Sequence, residues 1–105
     1  MSRELPQHAR LWDISAHYNE RTIPRELIHA HTPPPGMWSR IVVEEGKLQA
    51  RIAGVAVAVT PAQPAIVPPD AECAVEAPHR PVRFYVEYYH PPIIESPDEL
   101  AALGR

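Results

Sequence analysis

The sequence contains a single cysteine, Cys73, and this excludes an internal disulfide. Its longest apolar stretch, residues 52–59, is far shorter than the ~20 apolar residues that a helix needs to span a membrane. The opening residues are mostly polar and lack the apolar segment of a signal peptide. We therefore expect a cytoplasmic protein in a reducing compartment, with no membrane partner.

Basic runs are absent as well. Lysine and arginine total 10 against 13 aspartates and glutamates, and the formal net charge is −3. We therefore expect no nucleic-acid partner, because such proteins carry clustered lysine and arginine. The sequence also lacks the motifs G-x-G-x-x-G, G-x-S-x-G and C-x-x-C, and it has no P-loop. These absences argue against nucleotide-dependent enzymes and serine hydrolases.

Proline is the residue type that is unusually abundant, with 14 copies in 105 residues. Proline removes a backbone hydrogen-bond donor and interrupts helices and central strands. The prolines occur in clusters, and short apolar runs separate the clusters. A disordered proline-rich chain would lack those runs, so this pattern predicts one folded domain of short strands.

We predict strands over residues 9–14, 25–31, 37–45, 47–53, 55–60, 65–67, 72–77 and 82–89. Gly46 predicts a hairpin turn that pairs the strand before it with the strand after it. Short antiparallel strands separated by turns favour an all-β sandwich or barrel, and a small jelly roll fits best. We assign residues 1–22 to an N-terminal extension or strand, 23–92 to the barrel and 93–105 to a tail. Ser96, Pro97 and Glu99 form a capping-box pattern that predicts a short C-terminal helix within that tail.

His29 and His31 are the first candidate site residues. In a strand, residues two apart point to the same face, so both imidazoles would converge on one spot and could bind a metal or a polar ligand. Cys73 is a candidate third ligand from another strand. The alternatives are two surface histidines on an edge strand, and a cysteine that is simply a small buried hydrophobe.

Glu87 is a further candidate, either as a fourth metal ligand or as a general base. It shares a strand face with Tyr85, and both would line a pocket if that face points inward. The alternative is a solvated outer face, because Phe84 and Val86 on the other side have the character of a core. Trp38 and Arg40 are candidates for an apolar wall and an anion contact, and the alternative is that Trp38 packs in the core while Arg40 reaches solvent.

The pattern of these motifs resembles the cupins. Cupins carry H-x-H on one strand, then a glycine, and later P-x-G-x-x-H. Here His29-Ala30-His31 and Gly46 match the first motif, and residues 68–73 match the second. Asp70 stands in place of the motif glycine and Cys73 in place of its histidine, while the glutamate of the first motif has no clear counterpart.

A narrower resemblance is to the TehB-like cupins, a family associated with tellurite resistance. In that family's pattern His31 falls on the histidine, and the matching segments are I-P-R-E-L-I-H-A-H at 23–31, G-M-W at 36–38, I-V-V-E-E-G at 41–46, V-P-P-D-A-E-C at 67–73 and F-Y-V-E-Y-Y at 84–89. The resemblance implies a cupin jelly roll with a small, commonly metal-bound pocket. It also implies a homodimer and a setting of oxyanion or stress resistance.

Two functions follow as expectations. In the first, His29, His31, Cys73 and Glu87 hold one divalent ion, zinc or iron, for a small-molecule oxygenase, isomerase or lyase. In the second, a metal-free pocket senses or sequesters a small molecule, with Trp38, Arg40 and Tyr85 holding an anionic or oxidised ligand.

Overall fold

The computed structural model of the protein describes residues 5–91. Nearly all of its regular structure is β-strand, which confirms the predicted all-β class. The elements are β1 (Arg10–Ile14), β2 (Tyr18–Asn19), α1 (Arg25–Ile28), β3 (Trp38–Glu45), β4 (Leu48–Ile52), β5 (Val55–Val59), β6 (Ala65–Val67), β7 (Cys73–Val75) and β8 (Arg83–His90). The predicted C-terminal helix lies outside the described residues.

The strands form two antiparallel sheets. The larger sheet has the order β1-β8-β3-β6, and β2 also pairs with β8. The smaller sheet has the order β5-β4-β7. Because β1 and β2 both pair with β8, residues 10–19 complete the larger sheet. Among residues 5–91 there is no helix with the length and apolar character to cross a membrane.

The core lies between the two sheets, and strand alternation decides which side chains enter it. In β3 every second residue from Ser39 to Val43 is buried, and the residues between them are partly exposed. Phe84 of β8 and Leu48 of β4 are completely buried and belong to one apolar cluster. Burying an apolar side chain of this size stabilises the fold by about 1.5–3 kcal/mol.

The predicted hairpin at Gly46 is wrong. The turn itself is present, and Gly46 has a φ of +82° that favours glycine. However, β4 pairs with β5 and β7 and belongs to the smaller sheet, so the chain crosses from one sheet to the other at this point. A Cβ on Gly46 would lie 2.4 Å from the Pro81 carbonyl oxygen, so the crossing is packed directly against the segment that enters β8.

The predicted strand over residues 25–31 is also wrong. Residues 25–28 form a single helical turn, α1, which Pro24 precedes in an extended conformation. The Leu27 N–H donates to the Pro24 carbonyl at 3.1 Å, and the His29 N–H donates to the Arg25 carbonyl at 3.0 Å. Arginine, glutamate and leucine are good helix formers, and burial of Leu27 fixes this turn on the core.

Candidate functional site

A cavity of about 110 Å³ lies between the two sheets. The larger sheet provides one wall with Ile41, Val67 and Val86, and β7 provides the opposite wall with Cys73 and Val75. Leu27 of α1 and the loop that follows it cover the cavity. The polar side chains that line it are those of His31, Thr32, Ser39 and Tyr88.

His31 and Cys73 meet at this cavity. They form an antiparallel bridge in which the His31 N–H donates to the Cys73 carbonyl at 3.0 Å and the Cys73 N–H donates to the His31 carbonyl at 2.7 Å. The His31 Nδ1 lies 3.1 Å from the His29 carbonyl oxygen. Because a carbonyl only accepts, Nδ1 carries the hydrogen in this contact and donates it to the His29 carbonyl.

The turn before Cys73 explains how the chain accommodates Asp70 in place of the motif glycine. The Ala71 N–H donates to the Pro68 carbonyl at 3.2 Å, which closes a turn over residues 68–71. Asp70 has a φ of +65°, the left-handed conformation for which glycine is usual and which aspartate tolerates. The backbone at Asp70 therefore adopts a conformation suited to glycine. The turn that contains it places Cys73 at the start of β7.

The Cys73 thiol is buried, and its surroundings favour the protonated form. Only 3% of the residue is exposed, and desolvation by burial raises the pKa of the thiol to about 11. The thiolate is the form that attacks substrates and binds metals, and this environment disfavours it. Among residues 5–91 no neighbouring cation or hydrogen-bond donor lowers the pKa of Cys73 in opposition to burial. The buried-hydrophobe alternative for Cys73 therefore describes its surroundings well.

His29 does not join His31 at the cavity. It is exposed and ends α1, and its ring is not part of the cavity lining. The convergence expected from the H-x-H pattern required a strand, and the helical turn replaces that strand. The backbone of His29 does contribute, since its carbonyl oxygen orients the His31 ring.

Glu87 lies on the other face of the larger sheet, away from the cavity. The Arg40 Nε–H donates to Glu87 Oε1 at 2.6 Å, and the Tyr89 hydroxyl donates to the same oxygen at 3.1 Å. The hydrogen bond to Glu87 raises the pKa of Arg40. Glu87 is only 8% exposed, so neighbouring side chains shield it from solvent although it lies on the outer face of the sheet.

Trp38, Arg40 and Tyr85 share that outer face, and none of them lines the cavity. The three side chains that were expected to hold a ligand in the barrel therefore lie outside the cavity between the sheets. The Tyr85 ring instead packs on His17, with 4.8 Å between ring centroids. The strand alternation that buries Ile41 and Val86 necessarily turns these neighbours outward.

The donor set at the cavity does not fit the metal ion that the resemblance implies. Only His31 and Cys73 of the four proposed ligands lie there, and the thiol favours its protonated form. Across residues 5–91 no group of three histidine, cysteine, aspartate or glutamate side chains is placed to hold a metal. Structural and catalytic metal sites ordinarily use at least three protein ligands.

Sequence reasoning missed Ser39, Thr32 and Tyr88 as cavity residues. Ser39 is a polar residue at an inward position of β3, where its neighbours on that face are Met37 and Ile41. A polar residue that interrupts an apolar strand face was the available sign of a site. Thr32 had no such sign, because it follows the His31 bridge in an irregular loop.

Comparison with solved structures shows the same fold. A protein from Escherichia coli K12 superposes with a TM-score of 0.79 at 18% identity, covering 90% of this chain and 93% of that one. TehB from Haemophilus influenzae gives 0.72 at 20% identity over 80% of this chain, which matches 32% of TehB. A cupin protein from Bacteroides fragilis gives 0.52 at 16% identity, covering 64% of this chain and 57% of that one.

The family comparison covers most of the chain. No curated protein matches the sequence. The family model of the TehB-like domain matches residues 14–86, which include both cavity walls, α1 and the His31–Cys73 bridge. The chain belongs to the TehB-like domain family and has the fold of a cupin.

Proposed function

We propose that this domain is a metal-free binding module for a small, uncharged molecule held in the cavity between the sheets. The observation that supports it most is the chemistry of the lining. Among the described residues that line the cavity there is no aspartate, glutamate, lysine or arginine. An ion in this space would therefore meet no carboxylate, lysine or arginine side chain among the described lining residues, and burying an unpaired charge is costly.

The size of the cavity limits the ligand. Its volume of about 110 Å³ is well below the ~300–1,000 Å³ of sites for drug-sized molecules. Apolar cavities of about 150 Å³ in proteins accept molecules such as benzene or xenon. The ligand therefore has few heavy atoms, an apolar surface toward Val67 and Val75, and a polar group toward His31, Ser39 or Tyr88.

Binding is favoured over nucleophilic catalysis by the state of Cys73. A cysteine nucleophile needs a lowered pKa, which a neighbouring cation or histidine provides. The pKa of Cys73 is raised to about 11, and His31 meets Cys73 through backbone hydrogen bonds. A metal-dependent oxygenase, isomerase or lyase would need ligands beyond His31 and Cys73.

Xenon and benzene are suitable probes, with amide NMR spectra as the measurement. We expect either probe to shift the amides of Ser39, Val67 and Cys73. Val67→Phe should abolish these shifts by filling the cavity, and Val75→Ile, a smaller filling, should weaken them even where the phenylalanine variant fails to fold. Val55→Phe is the matched control, because Val55 is 62% exposed on β5. Shifts that persist in both cavity variants would contradict the proposal.

Metal analysis tests the metal-free part of the proposal separately. Protein purified without added metal is expected to hold well under one equivalent of any transition metal. About one equivalent per chain, lost in His31→Ala, would overturn this part and restore the metal-binding function expected from the resemblance.

A further inference from the structure

A second concavity lies beyond the ends of β3 and β7, and we refer to it as the basic cleft, formed by residues 46, 47, 49 and 76–81. It has a volume of about 690 Å³ and shares no lining residue with the cavity between the sheets. The cavity is lined by Ser39 and Ile41 from the first half of β3, whereas the cleft begins after β3 has ended. The two spaces are therefore separate sites of the fold.

The charge of the basic cleft differs from that of the whole chain. Lys47, His79 and Arg80 line it together with one carboxylate, Glu76. Within residues 5–91 none of these four side chains takes part in a salt bridge. A chain of net charge −3 thus presents a lysine, an arginine and a histidine in one concave surface, with no salt-bridge partner among the described residues. Walls of lower dielectric strengthen the attraction of such a surface for an anion.

The backbone around the basic cleft is tied together by specific contacts. Gly46 lies so close to the Pro81 carbonyl that a Cβ there would be 2.4 Å from the oxygen. The Glu76 N–H donates to the Gln49 carbonyl at 2.8 Å, which joins the segment after β7 to β4. Pro78 and Pro81 flank the His79-Arg80 pair and restrict its backbone. A site ordered in advance loses less entropy when a ligand binds.

We propose that the basic cleft is a second binding site, for an organic anion that carries a carboxylate, sulfonate or phosphate group. Lys47 and Arg80 pair with the anionic group, and the apolar part of the ligand packs on Ala77, Pro78 and Pro81. Glu76 repels negative charge, so it places the anionic group toward the two cations and accepts a hydrogen bond from a donor on the ligand. The volume lies within the ~300–1,000 Å³ range of small-molecule sites, which favours such a ligand over a long acidic peptide.

Anilinonaphthalene sulfonate is a suitable probe, because it joins an aromatic body to one anionic group. We expect it to bind the wild-type protein and to shift the amides of Gly46, Lys47 and Arg80 in NMR spectra. The Lys47→Gln/Arg80→Gln variant should lose affinity by about tenfold or more, because two charge-assisted contacts disappear. The uncharged analogue phenylnaphthylamine should bind both proteins with equal, weaker affinity.

Two control variants distinguish binding in the basic cleft from general attraction to surface charge and from binding between the sheets. Arg25→Gln/Arg51→Gln removes two exposed charges outside the cleft and should bind the sulfonate as the wild type does. Val67→Phe fills the cavity between the sheets and should also leave this binding unchanged, so the two proposals can fail independently. Equal affinity in the cleft variant and the wild type would overturn the inference, as would shifts confined to the cavity residues. Tighter binding of a hexaglutamate peptide than of the sulfonate would overturn the small-molecule assignment.

Discussion

Ala53 occupies an unfavourable backbone conformation in the turn between β4 and β5. It has a φ of +50° and Gly54 a φ of +81°, and the pairing of Ile52 with Val55 makes these two residues the whole turn. Two-residue turns with positive φ at both positions favour Asn-Gly, because asparagine tolerates the left-handed region better than alanine.

Replacing Ala53 by asparagine is therefore expected to stabilise the domain by about 0.5–1 kcal/mol. Urea denaturation followed by tryptophan fluorescence measures the change. Ala58→Asn is the control, since Ala58 is exposed within β5 and gains nothing from a turn conformation. An Ala53→Asn variant no more stable than the wild type would show that the turn is not strained.

Cys73 predicts a loss of stability in alkaline solution. Burial raises the pKa of the folded thiol from an ordinary value of 9.0 to about 11. Below pH 9 the thiol is protonated in both states, so its full contribution to stability is present there. Between pH 9 and 11 the unfolded chain loses the proton first, and stability falls as pH rises, by up to ~2 kcal/mol from this group.

Urea denaturation at pH 7, 9 and 11 tests this pH dependence. Cys73→Ala should show a smaller decline than the wild type, and the remaining decline is expected from Tyr88 and Tyr89, whose pKa values burial also raises. Iodoacetamide should label Cys73 in urea and leave it unmodified in the folded protein. Rapid labelling of the folded protein would contradict the burial argument.

The crossing from β3 to β4, which takes the chain from the larger sheet to the smaller one, depends on Gly46. Its φ of +82° and the 2.4 Å approach to the Pro81 carbonyl leave no room for a side chain. Gly46→Ala is expected to destabilise the domain by about 2–4 kcal/mol, since the backbone must move either in the β3–β4 connection or in the β7–β8 connection that packs against it. Thermal and urea unfolding measure the loss.

Gly36 provides a matched control for Gly46. It also has a positive φ, +74°, but nothing lies within 4 Å of the Cβ it would gain. Gly36→Ala should therefore cost only the conformational strain, about 1 kcal/mol. Equal losses in the two variants would mean that the contact with Pro81 contributes nothing.

At the scale of the elements, the strands could largely be predicted from the sequence, and their partners could not. β3 and β8 alternate between buried and exposed residues over much of their length, which is the pattern that reveals a strand. Two features of the fold could not be predicted from this alternation. α1 has a single turn, too short for helical periodicity, and the pairing of β4 with β7 depends on contacts distant in sequence.

The sequence likewise predicted one part of the candidate site and left another part undetermined. The order of the family motifs pointed to His31 and Cys73 as neighbours, and the two residues form a backbone bridge. Glu87 could not be assigned from alternation alone, because one strand face holds Phe84 and Val86 while the other holds tyrosines and a carboxylate. The Arg40 partner that lets Glu87 be buried on the outer face comes from another strand.

At the level of the whole molecule, the homodimer expected from the family resemblance stays a prediction. β1 is an edge strand of the larger sheet and exposes Leu11, Trp12 and Ile14, each about half accessible to solvent. Asp13 Oδ1 accepts the Ile14 N–H, which leaves less of this edge available for backbone pairing. We therefore expect any dimer to associate through the side chains of β1.

Analytical ultracentrifugation over a wide concentration range tests this association. Leu11→Ser/Ile14→Ser should shift the protein toward monomer, and Val55→Ser on β5 should not. A wild-type protein that stays monomeric throughout would remove the homodimer expectation.

The void between the sheets also predicts how the folded domain responds to compression. Water fills such a space when the chain unfolds, so the unfolded state occupies less volume and hydrostatic pressure favours it. The midpoint pressure of unfolding should rise when xenon occupies the void or when Val67→Phe fills it, relative to Val55→Phe. If neither change altered the midpoint pressure, the volume decrease on unfolding would come from a part of the domain other than this cavity.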